Sequence, residues 1–196
     1  MQMWLISDWH WHQQSIYKFT FTDKDGVERR VRERFANAQE GDAYIAQRWA
    51  ELVKPQDHIW NLGDCTMFEG KHMAHDFIKL MKSLPGHKRL VLGNHDRYHP
   101  SVYVDAGFQK VRGSTLIDRV LCSHFPIHPM SVKGNVVVNV HGHIHQNQSP
   151  SPQVHEGKVS IWKNVSVEAI NYEPIAWEIV KAEIEVIRNK ALEEVK

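Results

Sequence analysis

The sequence predicts an α/β fold in which neighbouring strands run parallel. Two strand-helix-strand passages follow one another in the first half of the chain, which is the pattern of a parallel sheet with helical crossovers. Several short apolar segments also end in polar residues with ligand chemistry. Sites in such sheets form at the carboxyl ends of the strands, so these polar clusters can converge only where the strands are neighbours.

The first predicted strand covers Met3 to Ser7 and is followed by Asp8 and His10. Alternate residues of an extended segment point the same way, so Asp8 and His10 can hold one ion together. A polar stretch comes next, and its turn over residues 23–26 predicts an exposed hairpin. The basic residues of this region favour a solvated face over a phosphate-binding patch. They are Arg29, Arg30, Arg32 and Arg34.

Two amphipathic helices alternate with the next strands. Asp42 is the predicted N-cap of the first helix, which ends before Pro55. A strand from His58 to Leu62 then leads to Asp64. The second helix is predicted over residues 72–84, where a Pro-Gly pair stops it.

The second half of the chain predicts mostly strands and ends in a charged helix. The tail from Pro174 has a thin apolar stripe, which suits docking on the core or on a second subunit. A polar, proline-bearing loop is predicted over residues 146–157. The other predicted elements are a short helix over 101–106 and strands near 114–118, 119–123, 136–140, 159–162 and 164–167.

Length and composition predict a single domain over residues 1–196. A chain of 196 residues with 42% hydrophobic and 24% charged residues is ordinary for one globular core. Its net charge of +1 gives no argument for nucleic-acid or membrane binding. The two cysteines lie in or beside predicted core strands, which argues against a disulfide framework. Without a secretory signal or a transmembrane run, the protein is predicted to be cytoplasmic.

The strongest motif is Gly93-Asn94-His95-Asp96, which directly follows the apolar run Leu90 to Leu92. An unpaired buried polar group costs roughly 1–3 kcal/mol, so three such side chains at a strand end need partners. A metal site would supply them. Further candidate ligands follow other apolar runs, and the full set of donors is Asp8, His10, Asp64, Asn94, His124, His143 and His145.

These donors comprise three oxygen ligands and four imidazoles, which is more than one ion needs. Two ions about 3.5–4 Å apart that share a carboxylate would use them all, and such pairs generate a hydroxide for phosphoryl displacement. The lack of cysteine among the donors argues against a structural zinc site. Mixed nitrogen and oxygen ligation suits manganese, iron, zinc, cobalt or nickel, so the ion bound depends on availability more than on these ligands. Manganese is the ion we expect.

The order of the motifs resembles that of the calcineurin-like metallophosphoesterase superfamily. The family pattern of Asp-x-His, Gly-Asp, Gly-Asn-His-Asp, a lone His and Gly-His-x-His is matched from Asp8 to His145. The sequence also resembles a small bacterial and phage subgroup of this superfamily. The segments that carry this resemblance are Ser7-Asp8-Trp9-His10, Leu62-Gly63-Asp64 and Asn171-Tyr172-Glu173-Pro174-Ile175. The resemblance implies a four-layer α-β-β-α sandwich, with two mixed β-sheets flanked by helices.

The resemblance also implies roles for single residues. Asp64 would bridge two ions. His95 would contact the phosphoryl oxygen or protonate the leaving oxygen, and Asp96 would orient the His95 imidazole. The first ion would be held by Asp8, His10, Asp64 and His145, and the second by Asp64, Asn94, His124 and His143.

Three residues beside the motifs are predicted substrate contacts, each with a structural alternative. His12 is displaced by one position from a histidine that subgroup members often carry, and it faces either substrate or solvent. Arg97 and His128 are either phosphate contacts or an ordinary surface arginine and loop histidine. Cys65 is interpreted as a core thiol rather than a redox group.

The predicted activity is phosphoester hydrolysis by a hydroxide bound to two metal ions. A phosphodiesterase acting on nucleotides or nucleic-acid ends is favoured, because so small a chain has little room for a cap over the site. The alternative enzyme is a phosphomonoesterase. The alternative to an enzyme is a non-catalytic, metal-bound scaffold or binding module. The predicted partners are a nucleotide-like phosphoester and a second copy bound through residues 174–196, with no membrane and no strong nucleic-acid signature. A phage-encoded chain would act in the host cytoplasm.

Overall fold

The computed structural model describes residues 1–67, 71–129, 138–155 and 158–194. The described strands are β1 Met3–Ile6, β2 Thr20–Thr22, β3 Glu28–Arg30, β4 His58–Asn61, β5 His87–Val91, β6 Lys110–Arg112, β7 Ser114–Ile117, β8 Val120–Ser123, β9 Val138–His141, β10 Gln153–His155, β11 Lys158–Asn164 and β12 Ile175–Ala176. The α-helices are α1 Ala38–Leu52, α2 Lys71–Ser83, α3 Pro100–Asp105 and α4 Trp177–Glu193.

Two five-stranded sheets carry the structure, and both mix parallel with antiparallel pairing. Their strand orders are β12-β1-β4-β5-β6 and β10-β11-β9-β8-β7. The third, two-stranded sheet is the predicted hairpin of β2 and β3. The predicted α/β architecture of two mixed sheets with flanking helices is therefore confirmed.

Parallel pairing in the first sheet brings three motif-bearing strand ends to one edge. The strands β1, β4, β5 and β6 are parallel, and α1, α2 and α3 provide the crossovers that parallel strands require. Ile6 is in register with Asn61, and Asn61 is in register with Leu90. The segments that follow these three residues consequently leave the sheet side by side.

The second sheet meets the first at this same edge. β8, β9 and β11 are parallel neighbours, so the residues after β8 and β9 also leave the sheet together. Ser7 forms an isolated parallel bridge with Ser166, and the Val167 amide donates to the Ser7 carbonyl over 3.0 Å. Backbone hydrogen bonding thus joins the ends of β1 and β11 across the two sheets.

The N-terminus of α1 corrects one predicted boundary. Asn37, not Asp42, is the N-cap, and its side chain accepts a 3.0 Å hydrogen bond from the Glu40 amide. Asp42 lies inside the helix and is buried. Its carboxylate accepts hydrogen bonds from the Trp9 indole over 2.9 Å and from the His12 amide over 2.8 Å. Asp42 therefore makes tertiary hydrogen bonds, which cannot be predicted from helix periodicity.

Other boundaries differ where short strands interrupt predicted loops. The two strands predicted over 159–162 and 164–167 are one strand, β11, followed by a 3-10 helix at Val167–Ala169. β10 lies inside the loop predicted over 146–157. Of the strand predicted over 136–140, residues 136 and 137 lie outside the described residues.

The helix α4 docks on the core, which was one of the two predicted alternatives. Trp177, Val180 and Ile184 are buried, while Ile179 and Val186 on its other side are exposed. The Trp177 indole also donates to Asp118 over 2.8 Å. Throughout the part of the chain that the structure describes, no helix is long and apolar enough to cross a bilayer.

An aromatic cluster fills the space between the first sheet and its helices. The Phe77 ring of α2 lies 5.9 Å from that of Trp11, 6.2 Å from Tyr103 and 6.5 Å from Phe108, measured between ring centroids. Cys65 is fully buried as a free thiol, as is Cys122. The interpretation of Cys65 as a core thiol agrees with this burial.

Replacing Asn37 with alanine is expected to lower the free energy of unfolding by about 1 kcal/mol, because the Glu40 amide loses its capping acceptor. Urea unfolding followed by circular dichroism measures the change. Gln39→Ala, at an exposed position of the same helical turn, is the control and should stay within about 0.5 kcal/mol of the parent. An Asn37→Ala variant as stable as this control would contradict the capping role.

Candidate metal centre

Two groups of potential metal ligands lie at the edge where the sheets meet. One consists of Asp8, His10 and His145, and the other of Asp64, His124 and His143. Within each group, one potential ligand atom of every residue lies within 4.8 Å of the others. Each group takes residues from both sheets, so neither exists until the sheets are packed together.

The Asp64 carboxylate lies between the two groups. Its Oδ2 atom is 3.2 Å from His124 Nε2 and 3.5 Å from His10 Nε2. The Asn94 side-chain oxygen is 3.0 Å from His124 Nε2. The structure therefore brings together all seven donors that the sequence predicts, and places Asp64 where a carboxylate shared by two ions would lie.

His10 is the residue that most directly indicates a missing partner. Both nitrogen atoms of its ring are buried and have no hydrogen-bond partner among the described residues. Burial lowers the pKa of His10 to about 3, so the imidazole is neutral and keeps a lone pair for a ligand. Leaving such atoms unpaired costs roughly 1–3 kcal/mol, which a metal–nitrogen bond would offset. Together with the carboxylates, this residue set fits divalent metal ions that accept nitrogen and oxygen ligands.

Unusual backbone angles aim the ligands into the site. The φ angles are positive at Asp8 (59°), His10 (52°), Asp64 (50°), His143 (72°) and His145 (51°). Aspartate and histidine tolerate this left-handed region better than most residues, although it still stores strain. The turns are held by backbone hydrogen bonds of 2.9 Å from Asp8 to the Gly63 carbonyl and from His10 to the Asp64 carbonyl.

Two motif glycines are required by close packing around the carboxylates. A Cβ atom on Gly93 would overlap the backbone nitrogen and the carboxylate of Asp64. One on Gly142 would overlap the side chains of Ser7 and Asp8. These contacts explain why glycine precedes the ligands Asn94 and His143.

Charge and burial oppose each other at the carboxylates. Burial raises the pKa of Asp64, but the nearby His124 and His10 imidazoles outweigh it and bring this pKa down to about 2. At Asp8 burial prevails and raises the pKa, even though His145 and His124 act against it. The Asp8 carboxylate also accepts the His143 amide over 3.0 Å. Further positive charge, such as that of a bound cation, would favour the ionised form of Asp8.

His95 lies half-buried beside the first group. Its ring centroid is 5.2 Å from that of His10, and its backbone amide donates to Asp64 Oδ1 over 2.8 Å. The imidazole therefore lies near the candidate ligands without belonging to either group.

The three predicted substrate contacts are all at least partly exposed, and Arg97 lies beside a candidate ligand. Arg97 is exposed, and its Nε donates to the Asn94 carbonyl over 3.0 Å. His12 is half-buried with its ring 5.4 Å from that of Trp11, measured between centroids. His128 is exposed in the segment that follows β8. Their proposed contacts with substrate remain predictions.

Asp96 makes contacts different from those predicted for it. Its Oδ2 accepts the amides of Asp64 over 2.8 Å and Gly93 over 2.9 Å, and its Oδ1 accepts the Cys65 amide over 3.0 Å. The carboxylate fixes the backbone turns that carry Asp64 and Asn94. The orienting role of Asp96 toward the His95 imidazole stays a prediction.

Sequence reasoning missed a buried ion pair next to the first group. Arg32, predicted on a solvated face, is fully buried, and its Nε lies 2.8 Å from Glu168 Oε1. The same Glu168 oxygen is 3.1 Å from Nδ1 of His145. Burial opposes ionisation, but Arg32 and His145 lower the pKa of Glu168 to about 2. Glu168 could have been considered a site residue because it directly follows the strand predicted over 164–167. The sequence around Arg32 does not distinguish this buried residue from the exposed Arg30.

Asp96→Asn is expected to lower the free energy of unfolding of metal-stripped protein by about 1–3 kcal/mol, because an NH₂ group would then face backbone amides. Burial raises the pKa of Asp96 to about 7, so urea unfolding is measured above that pH, where the carboxylate is ionised. Asp105→Asn, at an exposed position of α3, is the matched control. Unchanged stability with reduced turnover would favour the original orienting role.

Comparison with known proteins identifies relatives along most of the chain. A protein of Methanocaldococcus jannaschii, described as uncharacterized, is 25% identical over 185 residues, which cover 94% of this chain and 92% of the relative. The Gene 66 protein of Mycobacterium phage D29 is 43% identical over 65 residues, covering 33% of this chain and 32% of that protein.

Similarity extends to solved structures and to a family. A protein of unknown function from Aquifex aeolicus matches with a TM-score of 0.63 and 23% identity, covering 92% of this chain and 98% of that one. At this level of identity the match shows the fold alone. The family model of calcineurin-like phosphoesterases matches residues 1–192. Because this match spans nearly the whole sequence and includes both groups of ligands, the chain belongs to the calcineurin-like phosphoesterase family.

Proposed function

We propose that this protein is a metal-dependent phosphodiesterase that acts on nucleotides or nucleic-acid ends. Family membership supports a hydrolase acting on phosphoester bonds. The observation that carries the proposal is the Asp64 carboxylate, one oxygen of which faces imidazoles of both ligand groups. A carboxylate in this position suits a pair of divalent ions.

The proposed ligands follow the two groups and share Asp64. When bound, two divalent ions lower the pKa of water to about 7 and offset the charge of the phosphoryl group. Manganese is the proposed ion; the alternatives are iron, zinc, nickel and cobalt, which also accept mixed nitrogen and oxygen ligands. One ion is assigned to Asp8, His10, Asp64 and His145, and the other to Asp64, Asn94, His124 and His143.

His95 is the proposed proton donor to the leaving oxygen. Its backbone amide donates to Asp64, its ring centroid lies 5.2 Å from that of His10, and the residue is partly exposed. Asp96 supports this arrangement indirectly, since it holds the Asp64 and Gly93 amides. We further propose that His12, Arg97 and His128 contact the substrate.

A diester is proposed over a monoester because a chain of 196 residues has little room for a cap, and an uncapped site admits extended substrates. Phosphomonoesterase activity is the alternative. A non-catalytic, metal-bound scaffold would be expected to have lost a ligand or His95, whereas all of these residues are present.

Several broader predictions accompany the proposed activity. We propose that residues 1–196 act as one domain in the cytoplasm, or in the host cytoplasm if the chain is phage-encoded. Self-association is proposed through the outer side of α4, where Ile179 and Val186 are exposed.

Metal-stripped protein is expected to hydrolyse bis-p-nitrophenyl phosphate only after a divalent ion is restored. The assay compares this diester with p-nitrophenyl phosphate, with manganese, nickel, zinc, iron or magnesium added one at a time. Faster cleavage of the diester supports the proposal, whereas a preference for the monoester favours the phosphatase. Two bound ions without activity on either compound would favour the scaffold.

His95→Ala is expected to lower turnover roughly 10²–10⁴-fold, because the leaving oxygen loses its proton donor, while both ions remain bound. Asp64→Ala is expected to lose metal, because both sites share this carboxylate. Bound metal is measured by elemental analysis after dialysis. His72→Ala, at an exposed position of α2, controls for loss of a histidine. Full activity of His95→Ala on an ester with a poor leaving group would refute the acid role.

A further inference from the structure

We propose that the buried pair of Arg32 and Glu168 positions the ligands of one metal ion, the ion assigned to Asp8, His10 and His145, and does not serve the other ion directly. The inference rests on the proposed two-ion function. It assigns positioning roles to two residues that lie 136 positions apart in the sequence.

Glu168 fixes the orientation of His145. Its Oε1 lies 3.1 Å from Nδ1 of the imidazole, which leaves Nε2 as the atom free to bind metal. A carboxylate that accepts the second ring N–H of a metal-bound histidine sets its tautomer and orientation. The His145 carbonyl is held as well, because it accepts a 2.6 Å hydrogen bond from the Asn164 side chain.

Arg32 fixes the turn that carries Asp8 and His10. Its guanidinium donates to the Asp8 carbonyl over 2.7 Å and to the Trp9 carbonyl over 2.9 Å. Asp8 and His10 both have left-handed backbone angles, so these donors stabilise a strained segment at the point where it supplies two ligands. The planar fork of arginine can hold two carbonyls and a carboxylate together, which a single ammonium group cannot do.

The ion pair joins ligand loops from the two sheets. Asp8 and His10 follow β1 of the first sheet, while His145 follows β9 of the second. The side chain of Arg32 is fully buried and that of Glu168 is 2% exposed, so the pair lies inside the protein rather than on its surface. The pair therefore contacts Asp8 and His145 of the first ligand group directly, and it holds the Trp9 carbonyl next to His10. By contrast, Asp64, His124 and His143 make no hydrogen bond with it among the described residues.

A second arginine–glutamate pair provides a matched control. Arg48 Nε lies 2.7 Å from Glu173 Oε2, and the pair links α1 to the segment that precedes β12. Its geometry resembles that of Arg32 and Glu168, but each side chain is 29% exposed, and among the described residues neither forms a hydrogen bond with a candidate ligand. Substitutions here control for the same residue changes in an ion pair outside the ligand groups.

The test is calorimetric titration of metal-stripped, full-length protein with cobalt(II), together with the visible absorption of the bound ion. The parent is expected to bind two ions. Glu168→Gln should weaken one of the two binding steps by about 10–100-fold and alter the absorption of that ion only. Arg32→Lys keeps the charge but loses the fork, and should weaken the same step. Glu173→Gln and Arg48→Lys should leave both steps unchanged.

Three results would overturn the inference. One is a Glu168→Gln variant that binds both ions as the parent does, which would leave the proposed function intact. Another is equal weakening of both steps, which would show a general structural role. A parent that binds no cobalt would overturn the proposed function and this inference together. If circular dichroism shows that Glu168→Gln is unfolded, Arg32→Lys decides by the same criteria.

Discussion

The structure depends most on the packing of carboxylates and imidazoles into a buried edge between two sheets. Desolvated carboxylates are costly unless opposite charge or hydrogen bonds offset the loss of water. Asp64 meets this requirement through two imidazoles and the His95 amide, and Asp8 through the His143 amide. The two buried ring nitrogens of His10 make no hydrogen bond within the described residues. Divalent cations would both offset the charge of the carboxylates and bind a nitrogen atom of His10.

This packing determines the loops around it. Ligands can approach one another only if the backbone turns sharply after each strand, and five of the predicted ligands adopt left-handed angles to do so. Their neighbours must then be small, which is why Gly93 and Gly142 lie against the carboxylates. The backbone bridge between Ser7 and Ser166 keeps the two sheets in the register that these contacts need. The contacts within the site and the packing of the two sheets therefore stabilise each other.

Sequence patterns predicted the features that depend on local order. Strand ends followed by aspartate, asparagine or histidine predicted where the ligands would converge, because parallel neighbours place their carboxyl ends at one edge. Periodicity located α1 and α2 but not the cap at Asn37, since Asp42 has equal capping chemistry and its tertiary contacts leave no local trace. Asp96 was placed in the site, yet its acceptance of backbone amides depended on a turn that the sequence does not display.

Arg32 shows why the buried residues behind the candidate ligands could not be predicted from the sequence. Three arginines of its region are exposed, and the sequence around Arg32 differs little from theirs. A guanidinium can be buried only where acceptors face its donors, and here they come from Asp8, Trp9, Tyr17 and Glu168. Glu168 lies 136 residues further along the chain, so no local window contains both partners. Burial of this arginine is thus a consequence of the two sheets meeting at the site. The hairpin region, predicted to be exposed, contributes a side chain that binds the Asp8 carbonyl and the Glu168 carboxylate.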